Sequence, residues 1–443
     1  MSERSDHEPT ARHCTVDYFC EMAATSLTMA DEPHEPLRHV TQLRQILSAD
    51  KLSIGFFLGA GCPCAVRVKD AKSGADAPLI PDIRGLTTAV DKEMRASKDH
   101  SSAYGKLVKA IADDGDAAPT VEGMLNRIRA LRDVAGKSLV REMSFDELDK
   151  LDREISSQVR NVVTCDLPSD PNPYHSMASF IRTHRYPFSE IFTTNYDVLI
   201  EQALECQQVP FFDGFVGSAR PFFDQRAIED GEIPARWSRL WKLHGSINWR
   251  YNKSTKAVVR SEREADGDEL LIHPSHMKYD ESRRMPYFVM IDRLRSFIRH
   301  KERPVALVIL GYSFGDQHLN EAIVESLKAN ASSACFALQF GDLAQYPDGV
   351  RLAKDNANLS LLAHDGAVVR RRQGPWVANP ATDLSKLTAT FKKILPAATT
   401  SGSPPTDPAD TPQPCNFIGG NFKHFGDFLD ELSAYDALGT GRT

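Results

Sequence analysis

The feature that most constrains this chain is a short apolar run, Ile54 to Leu58, that stops at Gly59-Ala60-Gly61. Such a run suits a strand buried on both faces, as a parallel sheet requires. Pro63 follows directly, where it fits the first turn of a helix. Strand, glycine turn and helix together let a backbone approach a phosphate: no Cβ blocks the way, and the helix start offers N–H groups and a favourable dipole. Taken alone the signal is weak, because a plain tight turn accounts for the same residues. The complete G-x-G-x-x-G spacing is absent, because Cys64 stands where the last glycine belongs.

The rest of the chain repeats the strand-and-helix alternation. Leu37, Val40, Leu43 and Leu47 recur at helical spacing. Glu190 to Thr193 and Val305 to Leu310 read as buried strands, with Cys335 to Gln339 and Leu359 to Leu362 as weaker ones. Arg67 to Pro78 reads as a loop, and Tyr174 to Thr183 as a helix. From Leu86 to about Cys165 the pattern is helical, which predicts an all-helical insertion over 86–165. The expected class is α/β: a Rossmann-like, largely parallel sheet with helices on both faces.

The expected organisation has four parts. Residues 1–36 are polar, acidic and poor in periodic apolar positions, which predicts a flexible segment. Residues 37–395 form the main domain, ending in a helix over Leu384 to Leu395. Residues 396–414, rich in Pro, Thr, Ser and Asp, read as a linker. Over 415–443, Phe422, Phe425, Phe428, Leu429 and Leu432 repeat at helical spacing, an amphipathic tail that docks either on its own domain or on a partner.

Composition excludes several classes. A formal net charge of −7 over 443 residues argues against a chain-wide grip on nucleic acid, so direct nucleic-acid binding is not indicated. No apolar stretch reaches bilayer-spanning length and no secretory h-region is present, so a cytoplasmic protein with reduced thiols and no membrane contact is expected. The eight cysteines contain no pair of C-x2-C elements, which rules out a zinc ribbon of that kind. His273, His276 and His318 lack a helical i, i+4 pair, and no metal is expected. Cys62 and Cys64 read as inert thiols, and Trp237, Trp241 and Trp249 as core or interface.

Four more motifs follow the glycine turn. They are Ile80-Pro81-Asp82-Ile83-Arg84-Gly85, Thr193-Thr194-Asn195-Tyr196-Asp197, His244-Gly245-Ser246 and Gly311-Tyr312-Ser313-Phe314-Gly315-Asp316. Singly, each has a structural reading: Asn195 and Asp197 as helix caps, His244 as the end of a strand, Gly311 to Asp316 as a strand-to-helix turn. In this order they resemble the sirtuin family, which carries G-A-G, I-P-D-F-R, T-Q-N-I-D, H-G and G-T-S. The resemblance is closer to its bacterial NAD-hydrolysing antiphage-defence branch, where T-N-Y-D and G-Y-S-F-G-D are frequent. It spans roughly Ile54 to Leu362.

The resemblance implies a set of roles. The amides of Gly59, Ala60 and Gly61 would hold the pyrophosphate of NAD, and Asp82 and Arg84 would line the pocket near the nicotinamide ribose and phosphates. Asn195 would touch that ribose and place a water, Asp197 would bind the carboxamide, and His244 would act as the base. Gly311 and Ser313 would meet the adenosine side or its phosphates. These residue types suit the chemistry. Breaking an N-glycosidic bond builds positive charge on the sugar, and nicotinamide leaves neutral because its nitrogen begins cationic. The protein need only orient the sugar, hold the carboxamide and accept a proton, and a histidine titrates in the right range.

Departures from the family shape the expectation. Pro63 replaces a serine, roughly a dozen extra residues separate Gly61 from Ile80, and Ile83 replaces a phenylalanine. The zinc-bearing small domain that receives an acyl-lysine peptide is absent, so water is the expected acceptor and the expected activity is NAD hydrolysis. Alternatives are a protein deacylase or ADP-ribosyltransferase in the same cleft, or a non-catalytic module sensing NAD or ADP-ribose. The resemblance further implies a homo-oligomer and a HerA-like ATPase partner.

Overall fold

The computed structural model describes residues 32–49, 52–70, 74–183, 189–252, 254–261, 268–272, 281–379, 381, 383, 387, 389–393 and 413–439. Nearly all of the segment 1–36, most of the linker 396–414, and His273 and His276 lie outside the described residues.

The apolar runs become strands of one nine-stranded sheet. In chain order these are β1 (Ser53–Leu58), β2 (Glu190–Thr193), β3 (Phe211–Phe212), β4 (Ser238–Lys242), β5 (Val305–Leu310), β6 (Ser333–Leu338), β7 (Leu359–Leu362), β8 (Gly366–Val369) and β9 (Arg372–Pro375). Their spatial order is β9-β8-β7-β6-β5-β1-β2-β4-β3. The span from β7 to β3 is parallel, and β8 and β9 add antiparallel pairs at one edge. Every residue of β1 and β5 is buried, as a strand covered on both faces must be. The fold class is therefore the α/β, Rossmann-like one that the alternation predicts.

The order carries a functional consequence. From β1 the chain first builds outward through β2 to β4, then returns to lay β5, β6 and β7 on the other side. The order reverses between β1 and β5, where the helices leaving the two strands diverge and open a crevice. Leu58 is level with Leu310 on one side and Thr193 on the other, and Thr193 is level with Lys242. Four strands thus end on one line, and the segments that follow them share one crevice.

The helical insertion consists of the helices Ile83–Ala96, Ser101–Asp113, Val121–Ala135 and Phe145–Val163. The last begins with a reciprocal capping box between Ser144 and Glu147. It is locked to Val121–Ala135 by a buried ion-pair cluster. Arg129 Nη2 lies 3.0 Å from Asp152 Oδ1, and Arg132 Nη1 lies 2.8 Å from Asp149 Oδ1. Two carboxylates and two guanidiniums removed from water need this mutual neutralisation to be tolerated there.

Four features differ from the sequence expectation. Arg67 to Pro78 carries a short hairpin, Arg67–Lys69 pairing with Asp76–Pro78. A second, five-stranded antiparallel sheet lies between Phe215 and Ile272, built of strands of two to eight residues; such short runs leave little periodicity to read. Of the span Leu384 to Leu395, expected as a helix, only residues 387 and 389–393 are described. Within it Phe391–Lys393 is a strand, hydrogen-bonded to Gln413–Phe417, and long-range pairing has overridden local helical spacing. The helix after the glycine turn is a single turn, Gly61–Cys64.

The phenylalanine-rich tail forms the helix Phe422–Gly439 and docks on its own domain. The Phe422 ring stands edge-on to Tyr174 at 5.0 Å, Phe425 meets Phe56 of β1 at 6.4 Å, and Ser176 Oγ donates to Asp430 at 2.8 Å. No helix among the described residues is long and apolar enough to cross a membrane.

Candidate active site

A cavity of about 260 Å³ opens at the carboxyl ends of β1, β2, β4 and β5, at the reversal point of the sheet. Ala60, Asn195, Asp197, His244, Gly311 and Ser313 line it. Residues of all five motifs, from Ala60 to Asp316, therefore meet around one space. Asp82 and Arg84 do not line it: both are exposed, and their neighbours Pro81 and Ile83 face the cavity instead. Asp82 caps its helix by accepting from the Gly85 amide at 2.8 Å.

The glycine turn works differently from the expectation. The Gly59 amide donates to the Leu310 carbonyl at 2.8 Å and the Gly61 amide to the Gly311 carbonyl at 3.0 Å, so these two N–H groups serve the fold. The glycines allow two backbones to cross. A Cβ on Gly59 would stand 2.4 Å from the Gly311 oxygen, and one on Gly311 would stand 2.7 Å from the Cys62 nitrogen. Gly311 also has φ +64°, where only glycine is unstrained. Cys62 is buried, donates to the Leu310 carbonyl at 3.5 Å, and has its thiol pushed far up by burial, so it is inert.

Asn195 is placed by the end of β2. Its backbone N–H donates to Thr193 Oγ1 at 3.0 Å, and its side-chain Nδ2 donates to the Gly59 carbonyl at 3.1 Å. The amide side chain is thereby fixed against the turn that follows β1. Asp197, only 5% exposed, accepts from the Leu199 amide at 3.0 Å, just before the helix Leu199–Cys206. Burial pushes its carboxyl up to about 6, against the opposing pull of Lys242. Lys242 Nζ reaches the Asp197 carbonyl and lies 2.9 Å from Glu201 Oε1.

His244, beyond the end of β4, sits between two carboxylates. Its Nε2 is 3.0 Å from Asp316 Oδ2, and its Nδ1 is 3.8 Å from Glu122 Oε1. Burial alone would drive the imidazole pKa down; the bond to Asp316 and the charges of Asp316 and Glu122 outweigh it and hold the group at about 9. Asp316 shifts the opposite way. Its burial is outweighed by His244 and by the amides of Leu319 and His318, and it is held at about 2. The two partners agree in sense: this pair is ionised at neutral pH.

The turn that presents Asp316 is rigid. Phe314 has φ +62°, an uncommon conformation for an aromatic residue. It is held by Asn320 Nδ2, which donates to the Phe314 carbonyl at 2.8 Å, while Tyr312 Oη contacts Asn320 Oδ1 at 2.9 Å and the Asp316 carbonyl at 3.1 Å. Asp316 then caps the helix Gln317–Ala329 through the amides of His318 and Leu319.

Residues 189–360 match the SIR2-like domain. That segment runs from β2 into β7 and carries Asn195, Asp197, His244, Gly311, Ser313 and Asp316. The glycine turn and the helical insertion precede it. No curated protein matches the chain. Among solved structures, a Sir2 homologue in complex with NAD aligns at 15% identity over 72% of this chain and 87% of that chain, with a TM-score of 0.33. A structure solved for the mechanism and regulation of Sir2 enzymes aligns at 13% identity over 70% and 88%, also with a TM-score of 0.33. The matched segment thus supplies 10 of the 19 lining residues, and the glycine turn, the stretch around Ile80 and the helical insertion supply the others.

Glu122, Tyr196 and Asp316 are among the lining residues that lie outside the site roles read from the sequence. Asp316 stands inside a motif and its pairing with His244 is a purely spatial fact. Glu122 has no motif around it. Its place at the start of a helix in the insertion gave no signal that it would face His244. His318, which was weighed as a metal ligand, lies in the first turn of the helix that Asp316 caps. Trp241 and Trp249 are core residues, Trp241 Nε1 donating to Glu190 at 2.6 Å.

Proposed function

We propose that this chain is an enzyme that cleaves the nicotinamide–ribose bond of NAD with water as acceptor, giving nicotinamide, ADP-ribose and a proton. The observation that carries this reading is the convergence of Asn195, Asp197 and the His244–Asp316 pair on one cavity at the reversal point of the sheet. Dinucleotides bind at such points in open α/β sheets. The match of residues 189–360 to the SIR2-like domain supports the same substrate.

The residues fit the nicotinamide end of that substrate. Glu122, Asp197 and Asp316 line the cavity, and His244 is the one basic side chain among the lining residues, so the lining suits a cationic ring. Asp197 accepts from the carboxamide and turns the ring. Asn195, anchored to Gly59, orients the sugar and the attacking water. As the C–N bond breaks, its electron pair passes to the ring nitrogen, nicotinamide leaves neutral, and positive charge spreads over the ribose. Water adds at the anomeric carbon and loses a proton to His244. Without substrate that imidazole, held at about 9, is protonated at neutral pH. A pyridinium brought close to it lowers its pKa by like-charge repulsion and so frees the base in the loaded site.

A role in antiphage defence through NAD depletion, as a homo-oligomer or beside a HerA-like ATPase, extends this reading and rests on the resemblance of the motifs. Nicotinamide release from NAD by wild type, Asn195→Ala and His244→Ala tests the reaction. Turnover should fall on the order of 10²- to 10⁴-fold in His244→Ala, the usual worth of a positioned base. Unchanged turnover removes His244 from the mechanism. Release that requires an acylated peptide supports a deacylase instead, and tight NAD binding without turnover supports a sensor.

A further inference from the structure

Taken with the NAD reading above, on which its effect on rate rests, we propose that Asn320 is a positioning residue of the site. It holds the turn from Phe314 to Asp316 in the shape that lets one carboxylate both cap its helix and pair with His244.

Asp316 has two duties, one for each oxygen. Oδ1 accepts from the amides of His318 and Leu319 at 2.9 and 3.1 Å, and Oδ2 stands 3.0 Å from His244 Nε2. The cap is a local matter that an aspartate before a helix satisfies unaided. Aiming the second oxygen at a histidine 72 residues away is not, because it depends on how the chain arrives from β5. It arrives through Phe314 at φ +62°, a conformation that an aromatic residue keeps only where its surroundings impose it.

Asn320 imposes it. An asparagine within a helix gives up helix propensity, and here both ends of its amide are in use. Buried one turn past Asp316, it reaches back six residues, where Nδ2 donates to the Phe314 carbonyl at 2.8 Å. Its Oδ1 stands 2.9 Å from Tyr312 Oη, which also lies 3.1 Å from the Asp316 carbonyl. That carbonyl accepts from the Asn320 main-chain amide too, at 3.0 Å. From the neighbouring strand, Gln339 Nε2 donates to the Tyr312 carbonyl at 3.1 Å. The turn is thus closed on itself through one side chain and braced from behind.

The consequence falls on His244. The charged groups set against it are Asp316 and, from the insertion, Glu122. Tyr196 stands on Glu122 and Tyr312 beside Asp316, both phenols kept neutral by burial. Glu122 belongs to the helix Val121–Ala135 and owes nothing to the turn. A relaxed turn lets Asp316 keep its cap and lose the histidine. The imidazole then falls toward the lower value that its burial favours, and the base is misaimed as well.

The test titrates the His244 imidazole by NMR in the full chain and follows nicotinamide release from NAD against pH. Asn320→Leu keeps the bulk of the side chain and removes both amide bonds. Its imidazole midpoint should fall well below about 9. The alkaline plateau of kcat/KM should drop roughly 10- to 100-fold, the cost of misplacing a reacting group by about 1 Å. Tyr312→Phe removes one hydroxyl and should move the midpoint the same way by less. Leu327→Ala, buried in the same helix, should destabilise the chain yet leave midpoint and plateau unchanged. A midpoint that stays near 9 in Asn320→Leu, or one that falls equally in Leu327→Ala, overturns the positioning role and leaves the NAD reading standing. A midpoint that falls as expected in a chain whose wild type releases no nicotinamide overturns the NAD reading and, with it, the effect on rate. Should Asn320→Leu fail to fold, Tyr312→Phe carries the test, and an unmoved midpoint there overturns the role.

Discussion

His244 Nε2 and Asp316 Oδ2 stand 3.0 Å apart, and this contact ties the end of β4 to the helix cap that follows β5. The two strands are not neighbours; β1 and β2 lie between them. The pair therefore spans the crevice floor, and both its ionisation and its geometry are shared between two halves of the sheet.

The pair makes stability depend on pH at both ends. His244 is held at about 9, above its ordinary 6.5, so its contribution is complete below about 6.5 and is lost as pH rises through about 9. Asp316 is held at about 2, below its ordinary 3.8, so its contribution is present above about 3.8 and is lost as pH falls through about 2. Asp316→Asn should remove most of the alkaline loss and bring the His244 midpoint down, read directly by NMR titration of the imidazole. In the free enzyme kcat/KM for nicotinamide release should rise with pH up to about 9, and in Asp316→Asn the rise should come earlier with a lower plateau. An imidazole midpoint that stays near 9 in the variant shows that Asp316 does not set the charge of His244.

Lys242 offers a second electrostatic test. It is buried, bonded to the Asp197 carbonyl and to Glu201, and it pulls the Asp197 carboxyl down against burial. Lys242→Met leaves Glu201 without its cation and should cost about 3–5 kcal/mol in urea unfolding. Because the Asp197 pKa is raised, ionising it costs stability as pH climbs from about 3.8 through about 6. Without Lys242 that window should move upward. Adding Glu201→Leu should recover much of the stability but leave Asp197 protonated at neutral pH, so affinity for NAD should stay low. Recovered affinity in the double variant excludes a charged Asp197 from binding.

The sheet was legible because fully buried strands carry their own signature: Ile54 to Leu58 and Val305 to Leu310 are apolar on both faces, and both became central strands. The convergence of Asn195, Asp197 and His244 was legible because each follows a strand end, and a parallel sheet collects those ends on one side. Glu122 was not, since a glutamate in a helix's first turn is read as dipole complement whether or not it faces a cleft. The glycine turn was half legible. Its residues stand where the motif puts them, but the Gly59 and Gly61 amides bond to Leu310 and Gly311, a demand set by the neighbouring strand and invisible along the chain. Phe391–Lys393 became a strand through its pairing with Gln413–Phe417, about twenty residues downstream.

The crossing of the two glycine turns predicts a contrast among glycines. Gly311→Ala places a Cβ 2.7 Å from the Cys62 nitrogen on a backbone with φ +64°, and Gly59→Ala places one 2.4 Å from the Gly311 oxygen. Backbone has little freedom to yield, so each should destabilise by roughly 1–3 kcal/mol or more and lose affinity for NAD in calorimetry. Gly105 is exposed within the helix Ser101–Asp113, with nothing near its missing Cβ. Gly105→Ala should raise stability by about 0.5–1 kcal/mol through helix propensity and leave binding untouched. Equal effects at Gly105 and Gly311 contradict the close crossing.

The C-terminal helix should behave as part of the core. Phe425 is 1% exposed and meets Phe56, which lies in β1 two residues before the strand's last residue, Leu58. Gly426 sits so near the helix Pro173–Thr183 that a Cβ there would stand 2.9 Å from the Pro173 Cα. Truncating a buried phenylalanine costs about 3–5 kcal/mol through lost burial and the cavity left behind. Phe425→Ala should therefore shift the urea midpoint strongly. Gly426→Leu should act by another route, pushing the helix off its seat and exposing the segment around it to protease. A partner-binding tail would behave oppositely: both substitutions would leave the isolated chain's unfolding unchanged and alter only its assembly. The side-on packing against Tyr174 and the Ser176–Asp430 bond favour the first outcome, because an exposed docking helix has no need of a glycine fitted to its own domain.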